Sequence, residues 1–212
     1  NGSANAWAPL AADPELGLVY VPTGSASPDF YGGEREGDNL YANSLVALQA
    51  QTGRIAWYQQ LIHHDVWDYD LPAAPVLVTV RRDGEEIPAV AQVTKMGFVF
   101  VLHRETGEPL FPLEERPVPP SPLEGEETHP TQPFPVKPPP LVRHSLTPED
   151  AWGITPWDRR SCRKKFEAPR YDGIYTPPTL QGSLQYPGSA GGSNWGSVAV
   201  DPERQILIAN VS

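Results

Sequence analysis

The chain has 212 residues, a formal net charge of −10, 26 prolines, 18 glycines and a single cysteine. That length allows one domain or two and a sizeable core, while the acidic balance argues against a nucleic-acid groove. The lone Cys162 excludes an internal disulfide and a cysteine-based zinc centre, and with no run of 18 apolar residues no membrane-spanning helix is expected. The clearest basic cluster, Arg159, Arg160, Arg163, Lys164 and Lys165, is short and reads as a solvated surface. The chain opens Asn1-Gly2-Ser3 without Met or a signal-like segment and closes on what reads as a cut strand, Ile206 to Ser212. A fragment of a longer protein is therefore expected.

In chain order, Leu16 to Pro22 is an apolar run opened by the turn residues Asp13-Pro14-Glu15, which suits a buried strand. Residues 25–43 read as a long ordered loop, because Phe30, Tyr31 and Tyr41 offer surface to bury. Ser44–Leu48 and Ile55–Tyr58 are strands around the turn Gln51-Thr52-Gly53-Arg54. Further strands are expected at Val76–Val80, Ala89–Val93 and Phe98–Leu102. The turn Glu105-Thr106-Gly107-Glu108 echoes the first Thr-Gly turn 54 residues later. An aromatic stands four residues after each glycine, Trp57 and Phe111, and Asp13-Pro14-Glu15 recurs as Asp201-Pro202-Glu203 before the last strand. Repeats near 50 residues, each giving about four short antiparallel strands, point to an all-β propeller, with an antiparallel sandwich as the alternative.

Residues 109–148 hold 13 of the 26 prolines. A free polyproline linker is one reading. Leu110, Phe111, Phe134 and Leu141 favour an ordered path across a surface. Thr147-Pro148-Glu149-Asp150 carries the signals of a short helix start. Residues 169–197 are again loop-like and aromatic.

The densest chemistry lies in His63-His64-Asp65-Val66-Trp67-Asp68-Tyr69-Asp70-Leu71-Pro72, a loop leaving a strand. Turn preference explains the aspartates on backbone grounds, but not paired histidines beside aromatics. His63 and His64 read as structural rather than metal-ligating, for want of further spaced ligands. Asp65 and Asp70 read as loop supports. Taken alone, Trp7 would be core and Lys95 an ordinary surface lysine.

Taken with the Thr-Gly turns, His-Asp-Val-Trp-Asp resembles the core motif of the pyrroloquinoline-quinone (PQQ) dehydrogenases. The doubled histidine and the following Asp70-Leu71-Pro72-Ala73 are similar to the membrane-bound glucose and quinate dehydrogenase branch. The adjacent cysteines of the alcohol-oxidising relatives are absent, which agrees. The resemblance implies a portion of an eight-bladed β-propeller, covering the whole chain as part of one domain with a proline-rich insertion at about 109–148.

It also implies oxidation of a sugar or polyol hydroxyl at the periplasmic face of the inner membrane, with electrons passed to a membrane quinone. By the same resemblance Asp68 matches the catalytic base, Lys95 the cation beside the reactive quinone oxygen, Trp7 the indole under the cofactor, and Asn194-Trp195 a pair at its edge. PQQ and Ca²⁺ or Mg²⁺ are the implied cofactors. Ser25 stands where relatives carry an asparagine metal ligand, which weakens metal binding there, and Asp68 is a further candidate ligand.

The chemistry agrees with these roles. Alcohol oxidation needs a base and a hydride acceptor, and no side chain accepts hydride. A carboxylate among aromatics is a better base through its raised pKa, a lysine can stabilise a quinone oxyanion, and an indole offers a stacking floor. The rival reading is a non-catalytic propeller scaffold, which has no need of His-Asp-x-Trp-Asp.

Overall fold

The structure, a computed structural model, describes residues 4–212. β1 (Ala11–Asp13), β2 (Leu18–Pro22), β3 (Ser44–Gln49) and β4 (Ile55–Gln60) form one antiparallel sheet in sequential order. β5 (Val76–Arg82), β6 (Glu85–Val93) and β7 (Val99–His103) form a second. The edge of that sheet is completed after the Thr106-Gly107 turn by a bridge from Leu102 to Pro109 and a bond from Leu110 N to Val101 O (2.8 Å). A third antiparallel hairpin, β10 (Val198–Asp201) with β11 (Ile206–Ala209), follows far along the chain.

Alternation decides which faces are buried. In β2, Leu18 and Tyr20 point inward, and with Leu45, Ala47 and Trp57 they meet Val90 and Leu102 of the second sheet. The other face of the second sheet, with Ala89, Ala91, Val93, Val99 and Val101, packs toward Val198 and Leu207 of the last hairpin. Successive antiparallel sheets thus stand side by side, as blades do. Among the described residues no helix is long and apolar enough to cross a membrane.

The repeats read from the sequence are geometric. Gly53 N donates to Gln49 O (2.8 Å) and Gln49 N to Arg54 O (2.8 Å); Gly107 N donates to His103 O (2.9 Å) and His103 N to Glu108 O (2.8 Å). Both glycines have positive φ, +69° and +76°, as such turns require. The Asp-Pro-Glu echoes are also alike. Asp13 Oδ1 accepts from Glu15 N and Leu16 N, and Asp201 Oδ1 from Glu203 N and Arg204 N. Trp57 joins the blades: its Nε1 donates to Arg104 O (3.0 Å) and its ring lies flush on Gly107.

The proline-rich stretch is ordered. β8 (Leu113–Pro117) pairs with β9 (Thr131–Pro135), and Phe134 packs on Phe98 and Tyr175 with centroids 5.3 and 5.5 Å away. Its prolines are tolerated because each strand has only one neighbour. The helix start at Thr147 yields a single 3₁₀ turn, Pro148–Asp150, with Thr147 N donating to Asp150 Oδ2 (2.7 Å). The longer helix, α1 (Pro156–Glu167), lies in the basic cluster. It buries none of its residues and is held by the Thr155–Asp158 capping box, Pro156 in the first turn and lysines in the last.

The two turn glycines differ in surroundings. A Cβ on Gly53 meets nothing within 4 Å, whereas one on Gly107 would lie 2.5 Å from the Trp57 ring. Gly53→Ala is therefore expected to cost about 1–2 kcal/mol, the strain of a left-handed alanine. Gly107→Ala adds a clash worth about 1–3 kcal/mol more. Urea or thermal denaturation of the whole protein reads the difference, and equal losses would contradict the docked-tryptophan account.

Candidate active site

Gln60 ends β4, and residues 61–75 leave the sheet as a loop that is itself core. Leu61, Ile62, Val66, Trp67, Tyr69 and Leu71 are all buried, against Met96, Phe98, Phe100, Ile174 and Tyr175. Trp67 Nε1 donates to Thr176 O (2.9 Å), Tyr69 OH to Pro187 O (2.7 Å), and Gln185 Nε2 to Trp67 O (2.6 Å). A loop must satisfy its backbone somewhere, and here Asp65 does much of it. Its buried carboxylate accepts from Trp67 N (2.9 Å), Tyr69 N (2.9 Å), Asn43 Nδ2 (3.0 Å) and Ser25 Oγ. Burial pushes this carboxyl up and the four hydrogen bonds pull it back.

The two amides bound by Asp65 flank Asp68, which adopts the left-handed conformation at φ +57°. This turn presents the Asp68 side chain outward, about a quarter exposed, beside the buried ammonium of Lys95. Lys95 Nζ lies 3.4 Å from Asp68 Oδ1, donates to Asp68 O (2.7 Å), and pairs with Asp70 Oδ2 at 3.1 Å. Asp70 Oδ1 accepts from Ser25 N (2.6 Å). Desolvation raises the Asp68 pKa, Lys95 lowers it and Asp70 raises it again, leaving it at about 6.

The remaining candidates gather around this trio. Gly24 is pressed between Asp70 and Trp7: a Cβ there would lie 2.5 Å from Asp70 Oδ1 and 3.4 Å from Trp7 Nε1. Trp7 is 42% exposed and tilts against Trp195, itself 74% exposed, with centroids 5.8 Å apart. Gly191 packs flush on Lys95, and Gly192 N donates to Lys95 O (2.6 Å), so the turn into Asn194-Trp195 is tied to the lysine. Asn194 closes its own turn, Nδ2 donating to Ala190 O (2.6 Å) and Oδ1 accepting from Trp195 N (2.9 Å).

An uncovered aromatic pair suits the flat rings of a quinone such as PQQ. A divalent cation finds less. Ser25 turns its hydroxyl to Asp65, Asp68 and Asp70 flank an ammonium, and no three His, Cys, Asp or Glu among the described residues cluster to hold a metal. His63 bonds Gln60 Oε1 (2.9 Å) and Glu115 Oε1 (3.2 Å), and His64 Nδ1 donates to Gly37 O (2.7 Å), as structural histidines do.

Several supports escaped sequence reasoning. Asn43 joins the Asp65 cluster from the start of β3, also bonding Tyr69 O (3.1 Å). Gln132 of β9 brackets the His63 peptide through 2.8 and 2.7 Å bonds. Val142 is wedged between Gly97 and Gly192, and Leu141 N donates to Gly97 O (2.8 Å), so the proline-rich segment buttresses the turn that carries Lys95. Only the spacing of Thr94-Lys95-Met96-Gly97 between two strands hinted at that turn.

Comparison with known proteins finds one family whose description is "PQQ: Glucose/ethanol/alcohol dehydrogenase, beta-propeller domain", matching residues 1–212. The chain is 44% identical over 216 residues to quinoprotein glucose dehydrogenase A of Acinetobacter calcoaceticus, covering 99% of this chain and 27% of that protein. It is 43% identical over 210 residues to the quinate/shikimate dehydrogenase (quinone) of Acinetobacter baylyi, covering 98% of this chain and 26% of that one. The chain thus spans about a quarter of the length of these relatives. Among solved structures, the quinohemoprotein alcohol dehydrogenase from Comamonas testosteroni has a TM-score of 0.60 at 24% identity over 97% of this chain and 25% of its own, a likeness of fold.

Replacing Asp65 tests the cluster. In Asp65→Asn the oxygen can serve Tyr69, Asn43 and Ser25, but the new NH₂ then faces the Trp67 amide and strands it. A stranded buried donor costs about 1–3 kcal/mol, so a loss of that size is expected in denaturation of the whole protein. An unchanged midpoint would show that the carboxylate does not hold the loop.

Proposed function

The chain belongs to the PQQ glucose/ethanol/alcohol dehydrogenase β-propeller family, and from that premise we propose that the protein oxidises a hydroxyl of a sugar or polyol, with Asp68 taking the hydroxyl proton. The observation that carries this reading is the Asp68 carboxyl itself: solvent-reached, with a pKa raised to about 6, and beside a buried lysine. A base is most useful when its pKa lies near the working pH. PQQ, when bound, supplies the hydride acceptor that no side chain provides. Trp7 would lie under its ring and Asn194-Trp195 at its edge.

Lys95 contributes positive charge, which favours negative charge developing on a neighbouring oxygen. Among the described residues all its polar side-chain contacts are to Asp68 and Asp70, and its charge favours the ionised form of Asp68. Asp70 opposes that effect. Ca²⁺ or Mg²⁺ accords with the family reading, but Asp68 and Asp70 are paired with Lys95 and Ser25 with Asp65, so these residues would hold a cation only by giving up those partners.

An aldose such as glucose is the preferred substrate, with electrons passing to a membrane quinone at the periplasmic face of the inner membrane. The 43% identity to a quinate/shikimate dehydrogenase supports a cyclic polyol as the second reading. A scaffold role fits less well: burying an ammonium between two carboxylates is costly, and the Asp68 side chain beside it is left about a quarter open to solvent.

The whole protein, given PQQ with Ca²⁺ or Mg²⁺, is expected to reduce an artificial dye with a sugar or polyol, and its absence under all such substrates would overturn the reading. Asp68→Asn is expected to lower turnover by about 10²–10⁴ while leaving the fold intact.

The pH dependence is more specific. Asp68 works as a carboxylate, so kcat/KM rises with pH through about 6 and levels off above it. Lys95→Met removes the charge that lowers this pKa and moves the limb to higher pH. Asp70→Asn removes the charge that raises it and moves the limb to lower pH. Shifts in the same direction, or none, would assign the base elsewhere.

A further inference from the structure

α1 is attached to the rest of the molecule by one side only. Arg159 donates from Nε to Ala151 O (3.1 Å), Arg163 pairs with Glu149 at 3.1 Å, and the Phe166 ring meets Tyr171 with centroids 6.1 Å apart. At 3.6 residues per turn, Trp157, Arg160, Lys164 and Lys165 fall on the other side. None of those three cations makes an ion pair among the described residues. Just before the helix, Trp152 and Ile154 are 74% and 84% exposed, and Trp157 is 80% exposed. Two tryptophans and an isoleucine within six residues are a large apolar surface to leave in water. The helix carries five cations against two carboxylates, in a chain whose net charge is −10.

We propose that this face, Trp152 to Lys165, docks the protein on a membrane surface through anionic lipid headgroups. Tryptophan, with its apolar body and polar edge, and lysine or arginine, with apolar stems and charged tips, are the side chains that suit the headgroup boundary. Unpaired cations there are attracted by anionic lipid. The face is a ridge, not a groove, since no residue of α1 is buried, and a bilayer accepts a ridge by immersion. A second copy of this chain, at −10, offers no particular match for the tryptophans.

The docking does not depend on the oxidoreductase reading, but its placement bears on it. The excursion that carries α1 is tied at one end by the His144 Nε2 bond to Met96 O (2.7 Å), next to Lys95. At the other it is tied by the Trp67 Nε1 bond to Thr176 O (2.9 Å), next to Asp68. The ridge therefore hangs from the loops of the candidate site.

Ser161 falls in the middle of this face, so a cysteine placed there in a chain freed of its sole native cysteine, Ser161→Cys with Cys162→Ser, provides a probe. In the whole protein, with any cysteine outside this chain replaced by serine, a polarity-sensitive fluorophore at position 161 is titrated with vesicles of phosphatidylcholine alone or mixed with phosphatidylglycerol. The expected result is a blue shift and quenching by spin-labelled lipid only with phosphatidylglycerol. The response should weaken with salt, and apparent affinity should fall on the order of a hundredfold in the triple variant Arg160→Gln, Lys164→Gln, Lys165→Gln. Trp157→Ser should weaken binding while retaining its salt dependence. Three results would overturn the proposal: a position 161 that the label cannot reach because other parts of the polypeptide cover it, an equal response to neutral vesicles that the triple variant keeps, or a response to protein concentration in the absence of lipid.

Discussion

A carboxylate cut off from water must find its hydrogen bonds in the protein or lose its charge, and Asp65 finds four. Two come from the amides on either side of Asp68, one from Asn43 at the start of β3, and one from Ser25 in the loop after β2. A single buried group thus fastens the site loop to the first sheet and fixes the backbone of the residue between those two amides. Asp68 is left in a conformation that aspartate tolerates better than most residues, with its side chain turned out to Lys95. The geometry of the candidate base follows from the burial of a neighbour that itself stays out of the chemistry.

The packing of whole sheets secures the same region on a larger scale. Tyr20, Leu45 and Trp57 of the first sheet meet Val90 and Leu102 of the second, and Trp57 docks where only a glycine leaves room. The loops at the ends of these sheets then converge: the one bearing Trp7 and Gly24, the one bearing Asp68, the turn bearing Lys95, and the run to Trp195. The core beneath them, Trp67, Tyr69, Tyr175 and Phe98, is aromatic and tilted edge to face in most pairs, a dense floor that limits how far the loop can shift.

Much of this was legible from residue order. The strands announce themselves by short apolar runs between turn residues, and the Thr-Gly and Asp-Pro-Glu echoes carry the same hydrogen bonds at both copies because the turn chemistry is local. The site loop stood out by its ionisable content. What stayed hidden depends on contacts between distant residues. α1 has no apolar period because it buries nothing, so its caps were its only signal. β8 and β9 are masked by Pro117, Pro133 and Pro135, which would break an interior strand but not an edge. Asn43, Gln132 and Val142 are ordinary residues made important by what reaches them across the fold. The roles of Asp68, Lys95 and Trp7 came from resemblance, and their convergence appears only in three dimensions.

Asp68 is a carboxyl that burial pushes toward neutrality while a lysine pulls the other way. The direct measurement is titration of that group in the whole protein, by carbon NMR or difference infrared spectroscopy with labelled aspartate and Asp68→Asn as the assignment control. An Asp68 signal titrating at about 6 is the expected result. A carboxyl that ionises at the ordinary aspartate value of about 4 would contradict it.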